Sequence, residues 1–244
     1  MNAVVIVAGG SGRRLGSPLP KQYVSLGGKA LVLHTIDRFF MFDPGIRLIL
    51  VLAAGHQRFW EEVSADYPRN KEIILTEGGK ARFDSVRNGL ELVEDGWTVG
   101  IHDAVRPFVS TETIRRCYGS AAGTGSGIPV IEMDESVRMV GPGAGGVRGQ
   151  DPESDSGGIS GRDLSGRSTH LDRSRLRRVQ TPQVFRSEMI KRAYAQAGEH
   201  HYTDDASVFE SVYGEVTLVE GNMENIKVTT PVDLKVAWVL LKQS

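Results

Sequence analysis

The residues best suited to chemistry come after the first apolar run: Ala8-Gly9-Gly10-Ser11-Gly12-Arg13-Arg14-Leu15-Gly16. Glycines at such a turn let backbone N–H groups approach a polyphosphate closely, because no Cβ intervenes. A dinucleotide fingerprint would need glycine where Leu15 stands, and an acid for the ribose where Ala53-Ala54-Gly55-His56 stands. A Walker loop would end in Gly-Lys-Ser/Thr, and this one does not. What remains is a glycine loop carrying two arginines, followed by Pro20-Lys21-Gln22. Arg14 and Lys21 on that loop can fold over a triphosphate and neutralise charge at its α-phosphorus. The competing reading is a surface turn with incidental basic residues.

Two further groups lie at strand ends. Gly78-Gly79-Lys80-Ala81-Arg82-Phe83-Asp84-Ser85-Val86 leads from a strand into a helix. A double glycine there lets a flat base lie against main chain, and the helix N-terminus adds N–H donors. An ordinary connector would read the same way. Ile101-His102-Asp103-Ala104-Val105-Arg106-Pro107-Phe108 stands at the carboxyl end of a strand, where open α/β sheets put ligands. Asp103 there orients ribose, substrate hydroxyls or Mg²⁺, with Arg106 attending phosphate, or the two form only a structural ion pair. Thr181-Pro182-Gln183, Thr203-Asp204-Asp205-Ala206-Ser207 and Asn225-Ile226-Lys227-Val228-Thr229 mix hydroxyls with charge at element boundaries and are weak singly. Thr203 reads equally as a helix N-cap, and Lys227 as a surface lysine.

The elements that position these groups alternate. Ala3–Val7, Leu48–Leu52, Glu72–Leu75 and Val99–His102 read as strands, apolar throughout as strands covered on both faces should be. Leu31–Phe40, Gln57–Tyr67, Asp84–Leu92 and Thr111–Ala122 have helical spacing, the last with Ser110 as N-cap. This alternation predicts an α/β fold with a doubly wound, mainly parallel sheet. The rhythm breaks after Val130. Residues 141–169 hold nine of the 29 glycines and five serines, a composition expected to form a flexible excursion between extended pieces at Ser136–Val140 and Arg177–Val179. Helices are expected again at Ser187–Gln196 and Asp204–Val212, a strand at Val216–Val219, and a closing helix at Pro231–Leu241.

Composition bounds the rest. The 244 residues carry a formal net charge of −1, which gives no global attraction to nucleic acid or anionic membrane. The single cysteine, Cys117, excludes an internal disulfide and reads as a packing or surface thiol. No apolar run approaches a membrane span, and the start of the chain lacks a signal peptide's basic region and cleavage site, so a cytoplasmic protein is expected.

Taken in order, the motifs resemble those of the 2-C-methyl-D-erythritol 4-phosphate cytidylyltransferases of the non-mevalonate isoprenoid route. Gly-x-Gly-Arg-Arg, Pro-Lys-Gln-Tyr, Gly-Gly-x-x-Arg-x-x-Ser-Val, His-Asp-x-x-Arg-Pro, Thr-Pro-Gln, Thr-Asp-x-Ala-Ser and Asn-Ile-Lys-Val-Thr occur in family order between Val4 and Leu241. The resemblance implies a Rossmann-like nucleotidyltransferase fold, CTP and a sugar-alcohol phosphate as substrates, Mg²⁺ or another divalent cation, and a homodimer. By resemblance Arg14 and Lys21 stabilise the transition state, while Arg173 and Lys227 hold the acceptor phosphate for attack. Ala8, Gly79 and Ser85 match cytosine-contacting positions, with Lys80 contributing backbone and Gly9, Gly10 and Gly12 lining the CTP loop. Asp103 and Arg106 match residues near ribose and acceptor, and Thr203 a substrate-contacting threonine. One α/β domain, residues 1–131 and 178–244, is expected to carry an extended β-arm at residues 132–177 that reaches over the neighbouring subunit, so that Ser136 and Arg173 serve the partner's site.

The chain departs from the family pattern in places. Ala8-Gly9-Gly10 replaces the usual Ala-Ala-Gly, and Glu135-Ser136 the usual Asp-Thr. The arm is enlarged, and Arg175, Arg177 and Arg178 compete for the role of Arg173. A sister enzyme acting on ribitol 5-phosphate shares the loop and Thr-Pro-Gln, and a non-catalytic nucleotide-binding protein could share the fold. Arg14, Lys21, Asp103 and Lys227 standing together argue against the latter.

Overall fold

The computed structural model describes residues 1–9, 19–140, 168–198 and 202–243. The chain divides into two compact units, the first Met1–Ile131 with Val179–Ser244 and the second Glu132–Arg178.

The first unit opens with β1 (Asn2–Ala8), a turn of 3-10 helix at Lys21–Tyr23, and the short pair β2 (Ser25–Leu26) and β3 (Lys29–Ala30). Next come α1 (Leu31–Phe42), β4 (Arg47–Leu52), α2 (Gln57–Ser64), β5 (Ile73–Glu77) and α3 (Arg82–Leu90). These lead to β6 (Thr98–Asp103), α4 (Thr111–Thr124) and β7 (Ser126–Glu132). The second unit contains β8 (Val137–Val140) and β9 (Ser168–Leu171), and β10 (Arg177–Val179) brings the chain back. The first unit closes with β11 (Gln183–Arg186), α5 (Ser187–Gln196), α6 (Asp205–Tyr213), β12 (Leu218–Glu220) and α7 (Pro231–Leu241).

The central sheet runs β7-β11-β6-β1-β4-β5, with β12 beside β7. β1 pairs in parallel with both β4 and β6, β4 with β5 and β12 with β7, while β11 runs antiparallel to β6 and β7. Side chains of β1 and β4 alternate between two apolar layers, as the two-residue period of a strand dictates. Val4, Ile6, Leu48 and Leu50 pack with Ile36, Phe39 and Tyr118 from α1 and α4. Ala3, Val5, Ile49 and Val51 pack with Val86, Leu90 and Ile190 from α3 and α5. Cys117 is fully buried in the first layer, and burial pushes its thiol up to about 12. Among the described residues no helix is long and apolar enough to cross a membrane.

Several boundaries differ from expectation. α2 stops at Ser64 and not Tyr67, because Pro68 disfavours a helical residue before it. Residues Asn70–Glu72 form a 3-10 turn, so the strand starts one residue late, at Ile73. α3 starts two residues early, at Arg82, where the Asp84 carboxylate accepts the Ala81 N–H at 3.2 Å. Thr203 does not cap α6. Asp204 does, its Oδ1 accepting from Ser207 N at 3.0 Å. Ser168 and Thr169 belong to β9, paired with Val140 and Met139, so the expected excursion is shorter than 141–169. Its residues 141–167 lie outside the described residues. β7 and β11 had no counterpart among the strands expected from sequence; β7 is broken in composition by Gly127 and Pro129 although almost all of it is buried.

Candidate active site

The strand order reverses at β1, with β4 on one side and β6 on the other, which is the topological switch point where open α/β sheets bind ligands. Register aligns the carboxyl ends there: Val7 faces Asp103, Ala8 faces Leu52, and Leu52 faces Glu77. A cleft opens at this edge. Ala8 and Gly9 end β1 on one wall, and Gly79, Lys80 and Ser85 line another wall at the N-terminus of α3. Lys21, Asp103 and Lys227 complete the charged lining together with Arg82.

Gly78 and Gly79 have a local reason to lack side chains. A Cβ on Gly79 would sit 2.2 Å from the Asp84 Cβ, and one on Gly78 would sit 2.7 Å from Ser85 Oγ. The strand end therefore lies directly on the first turn of α3, and Ser85 Oγ accepts from Gly79 N at 3.2 Å while donating to Ala81 O at 3.0 Å. The double glycine first makes this close packing possible, whatever it offers a ligand.

Asp103 is the electrostatic centre. Its Oδ2 accepts from Arg106 Nε at 3.2 Å and pairs with Lys227 Nζ at 3.1 Å. Burial opposes its ionisation, but the charges of Lys227, Arg82 and Arg106 outweigh burial and hold the carboxyl well below the usual carboxylate range. Arg106 also donates to Asn225 O at 2.7 Å, Asn225 Nδ2 donates to Thr181 O at 2.8 Å, and Val228 N donates to Val105 O at 2.9 Å. These bonds tie the chain on both sides of Lys227 to the end of β6.

Behind Asp103 lies a neutral brace. Thr181 Oγ1 accepts from Asp103 N at 3.2 Å; because His102 Nε2 faces the Arg106 carbonyl and must donate, the neutral ring's Nδ1 accepts the Thr181 proton, 3.0 Å away. His102 Nε2 then donates to Arg106 O at 3.2 Å. The ring is fully buried, and burial lowers its pKa to about 3 despite the neighbouring Asp103 charge. Gln183 completes the buttress, donating to Asp204 Oδ2 at 2.9 Å and accepting from Ala206 N at 2.8 Å. Gln22, also in the cleft wall, donates to Ala8 O at 2.6 Å and so fastens the turn bearing Lys21 to the end of β1.

The structure thus brings Ala8, Gly9, Lys21, Gly79, Lys80, Ser85, Asp103 and Lys227 to one cleft. Arg106 joins it through Asp103. Gly10, Gly12 and Arg14 lie outside the described residues. Thr203 is exposed just before α6 and is not a lining residue. Ser136 and Arg173 belong to the second unit, where Arg173 donates to Asp134 O at 2.5 Å. Sequence reasoning gave no role to Arg82, Gln22, His102 or Thr181, although each stands inside a motif that it singled out.

No group of three or more His, Cys, Asp or Glu able to hold a metal ion occurs among the described residues. Asp103 is the one carboxylate among the described residues lining the cleft, and no described residue bonds its Oδ1. A lone carboxylate suits Mg²⁺, which commonly takes one or two carboxylates and draws its other ligands from substrate phosphates and water.

A mostly parallel α/β sheet with a basic cleft at its switch point is the arrangement of a protein that binds phosphorylated ligands, and the family match makes it a nucleotidyltransferase. The family model for 2-C-methyl-D-erythritol 4-phosphate cytidylyltransferase matches residues 2–149 and 166–243, and the chain belongs to that family. A relative of that name from Bacteroides fragilis is 44% identical over 237 residues, covering 97% of this chain and 98% of its own. Another of the same name, from Bacteroides thetaiotaomicron, is 42% identical over 239 residues, covering 98% of this chain and 99% of its own. The crystal structure of the 2-C-methyl-D-erythritol 4-phosphate cytidylyltransferase from Thermus thermophilus superposes with a TM-score of 0.72 at 26% identity, over 99% of this chain and all of the other. The unmatched residues 150–165 fall within the glycine- and serine-rich stretch.

Proposed function

We propose that the protein transfers the cytidylyl group of CTP to 2-C-methyl-D-erythritol 4-phosphate, releasing pyrophosphate and forming CDP-methylerythritol. The observation that supports this best is the gathering of Lys21, Lys80, Arg82 and Lys227 in one cleft with the carboxylate of Asp103. The acceptor is a phosphate monoester, largely a dianion at neutral pH because its second pKa is about 6. It needs no general base. One of its oxygens forms a bond to the α-phosphorus of CTP as the bond from that phosphorus to the β-phosphate oxygen breaks, and pyrophosphate leaves with the electron pair. The obstacle is repulsion between two anions, so the work of the protein is alignment and charge neutralisation.

Lys21 and Arg14 neutralise the α-phosphorus region in this reading, and Lys227 with Arg173 holds the acceptor phosphate. Ala8, Gly9, Gly10, Gly12, Gly79, Lys80 and Ser85 receive the nucleotide. Asp103, Arg106, Thr203 and Ser136 serve ribose and acceptor. A divalent cation, Mg²⁺ by preference, is held by the substrate phosphates with Asp103 as the available carboxylate, and supplies further neutralisation of phosphate charge. Residues 132–177 act as an arm that makes a homodimer and brings Ser136 and Arg173 to the partner's cleft. The compartment is the cytoplasm, with no role in binding nucleic acid or membrane.

The test is pyrophosphate release from CTP and Mg²⁺ with each of two acceptors. Release with 2-C-methyl-D-erythritol 4-phosphate is expected. Release only with ribitol 5-phosphate would transfer the chain to the sister activity, and release with neither would leave a nucleotide-binding protein.

A further inference from the structure

Arg82 is a lining cation held by a buried network of described residues. Its Nη1 and Nη2 donate end-on to the two carboxylate oxygens of Asp205, at 2.8 and 2.6 Å. Asp205 is fully buried at the first turn of α6, where the helix dipole favours an anion, and its Oδ1 also accepts from the Tyr194 hydroxyl at 2.6 Å. The Phe83 ring stacks on Tyr194 with centroids 4.5 Å apart, which fixes the backbone beside Arg82 as well. Among the described residues, Asp205 is the hydrogen-bond partner of the guanidinium, which is therefore clamped from that side. Five N–H groups belong to an arginine, and the fork uses two. The side chain remains 34% exposed, and Arg82 lines the same cleft as Lys80 and Asp103.

A buried ion pair is weak evidence for stability alone, because packed apolar residues often serve as well. This pair also joins two motifs 123 positions apart and ends in the cleft that holds Lys21 and Lys227. Resting on the cytidylyl-transfer reading, we propose that Arg82 is a further substrate-contacting residue, presenting the N–H groups left over by Asp205 to a phosphate oxygen of the substrates. Asp205 is its positioning residue. The phosphate belongs either to the CTP triphosphate or to the acceptor monoester, and Arg82 distinguishes them by which affinity depends on it.

Arg82→Gln alone strands the Asp205 carboxylate, so the pair variant Arg82→Gln/Asp205→Asn, which leaves no unpaired charge, is measured beside it, with thermal melts establishing that each is folded. Calorimetric titration with CTP, and with 2-C-methyl-D-erythritol 4-phosphate in the presence of EDTA, gives affinities that need no turnover; KM and kcat come from pyrophosphate release. Loss of a charged hydrogen bond is expected to weaken one of the two ligands by about tenfold or more. Asp205→Asn should weaken the same ligand by less, and the pair variant should be no worse than Arg82→Gln, since Asp205 acts through Arg82. A loss confined to CTP assigns the triphosphate; a loss confined to the acceptor assigns the monoester. A folded pair variant that binds both ligands as the wild type does overturns the inference and leaves Arg82–Asp205 a structural pair. A wild-type protein that binds CTP but releases no pyrophosphate overturns the function proposed above, while the titrations still judge Arg82.

Discussion

His102 shows how a residue can matter to the site without facing it. Its ring carries no charge, touches Thr181 and the Arg106 carbonyl, and so holds the turn on which Asp103 and Arg106 meet. The free imidazole would take a proton near pH 6.5, whereas burial delays this to about 3 in the folded protein. Below pH 6.5 the unfolded chain therefore binds a proton that the folded chain refuses. Stability from the neutral ring is complete above pH 6.5 and declines as the pH falls toward 3, with a slope approaching 1.4 kcal/mol per pH unit, to order of magnitude. We predict that the stability gap between wild type and His102→Gln, measured by urea unfolding, narrows by about 2 kcal/mol between pH 7 and pH 5. His34 and His56 are present in both proteins and cancel. A gap that does not change with pH would mean that the folded protein protonates the ring as readily as the unfolded chain does. At this scale the sequence showed Asp103 at a strand end and Lys21 on the loop after the glycine turn, while Lys227 stood out only through the family resemblance. The sequence did not reveal the brace, because the partner of His102 is Thr181, 79 residues away, and Thr-Pro-Gln has no chemistry of its own to advertise.

The elements carry the site through close contacts that pattern alone does not expose. Helix α3 abuts the end of β5 so tightly that Gly79 has no room for a methyl group, the obstructing atom being the Cβ of Asp84 at 2.2 Å. Gly79→Ala must therefore push the first turn of α3 away from the cleft, taking Arg82 and Ser85 with it. Overpacking of this kind costs about 1–3 kcal/mol. We predict that Gly79→Ala lowers Tm and weakens CTP binding together, and that adding Asp84→Gly restores part of both by removing the obstructing Cβ. Glycine inside a helix costs about 1 kcal/mol, so the rescue is incomplete. If CTP affinity falls while Tm is untouched, the glycine serves the ligand directly and its packing role is minor. The alternating strands and helices were legible because both-face burial makes β1 and β4 continuous apolar runs. β7 was not, since Gly127 and Pro129 interrupt its pattern. Gly127 is forced by contact: a Cβ there would lie 2.3 Å from the Cys117 carbonyl oxygen of α4. Tertiary approach overrode strand propensity at that position.

At the scale of the molecule the open matter is what the second unit contributes. β8 and β9 pair antiparallel from Val137 opposite Leu171 to Val140 opposite Ser168, with residues 141–167 between them in sequence. The family's sequence pattern skips 150–165 within that connection. If the arm makes the dimer and supplies Ser136 and Arg173, its paired strands matter and the skipped residues do not. Deleting 150–165 leaves residues 141–149 and 166–167, enough to join two neighbouring antiparallel strands, whose minimal connection is two residues. Loop-closure entropy varies only slowly with length, so kcat and KM are predicted to stay within about twofold of wild type. Sedimentation equilibrium should still report a dimer. Replacing all of 132–178 by a short linker should instead give a monomer that keeps a cooperative thermal transition, since the layers on both faces of the sheet are built from the first unit, but loses turnover with the acceptor. A dimer that survives the larger replacement would remove the arm from the interface. Loss of turnover on the smaller deletion would make residues 150–165 part of the working site and separate this chain from what its family shares.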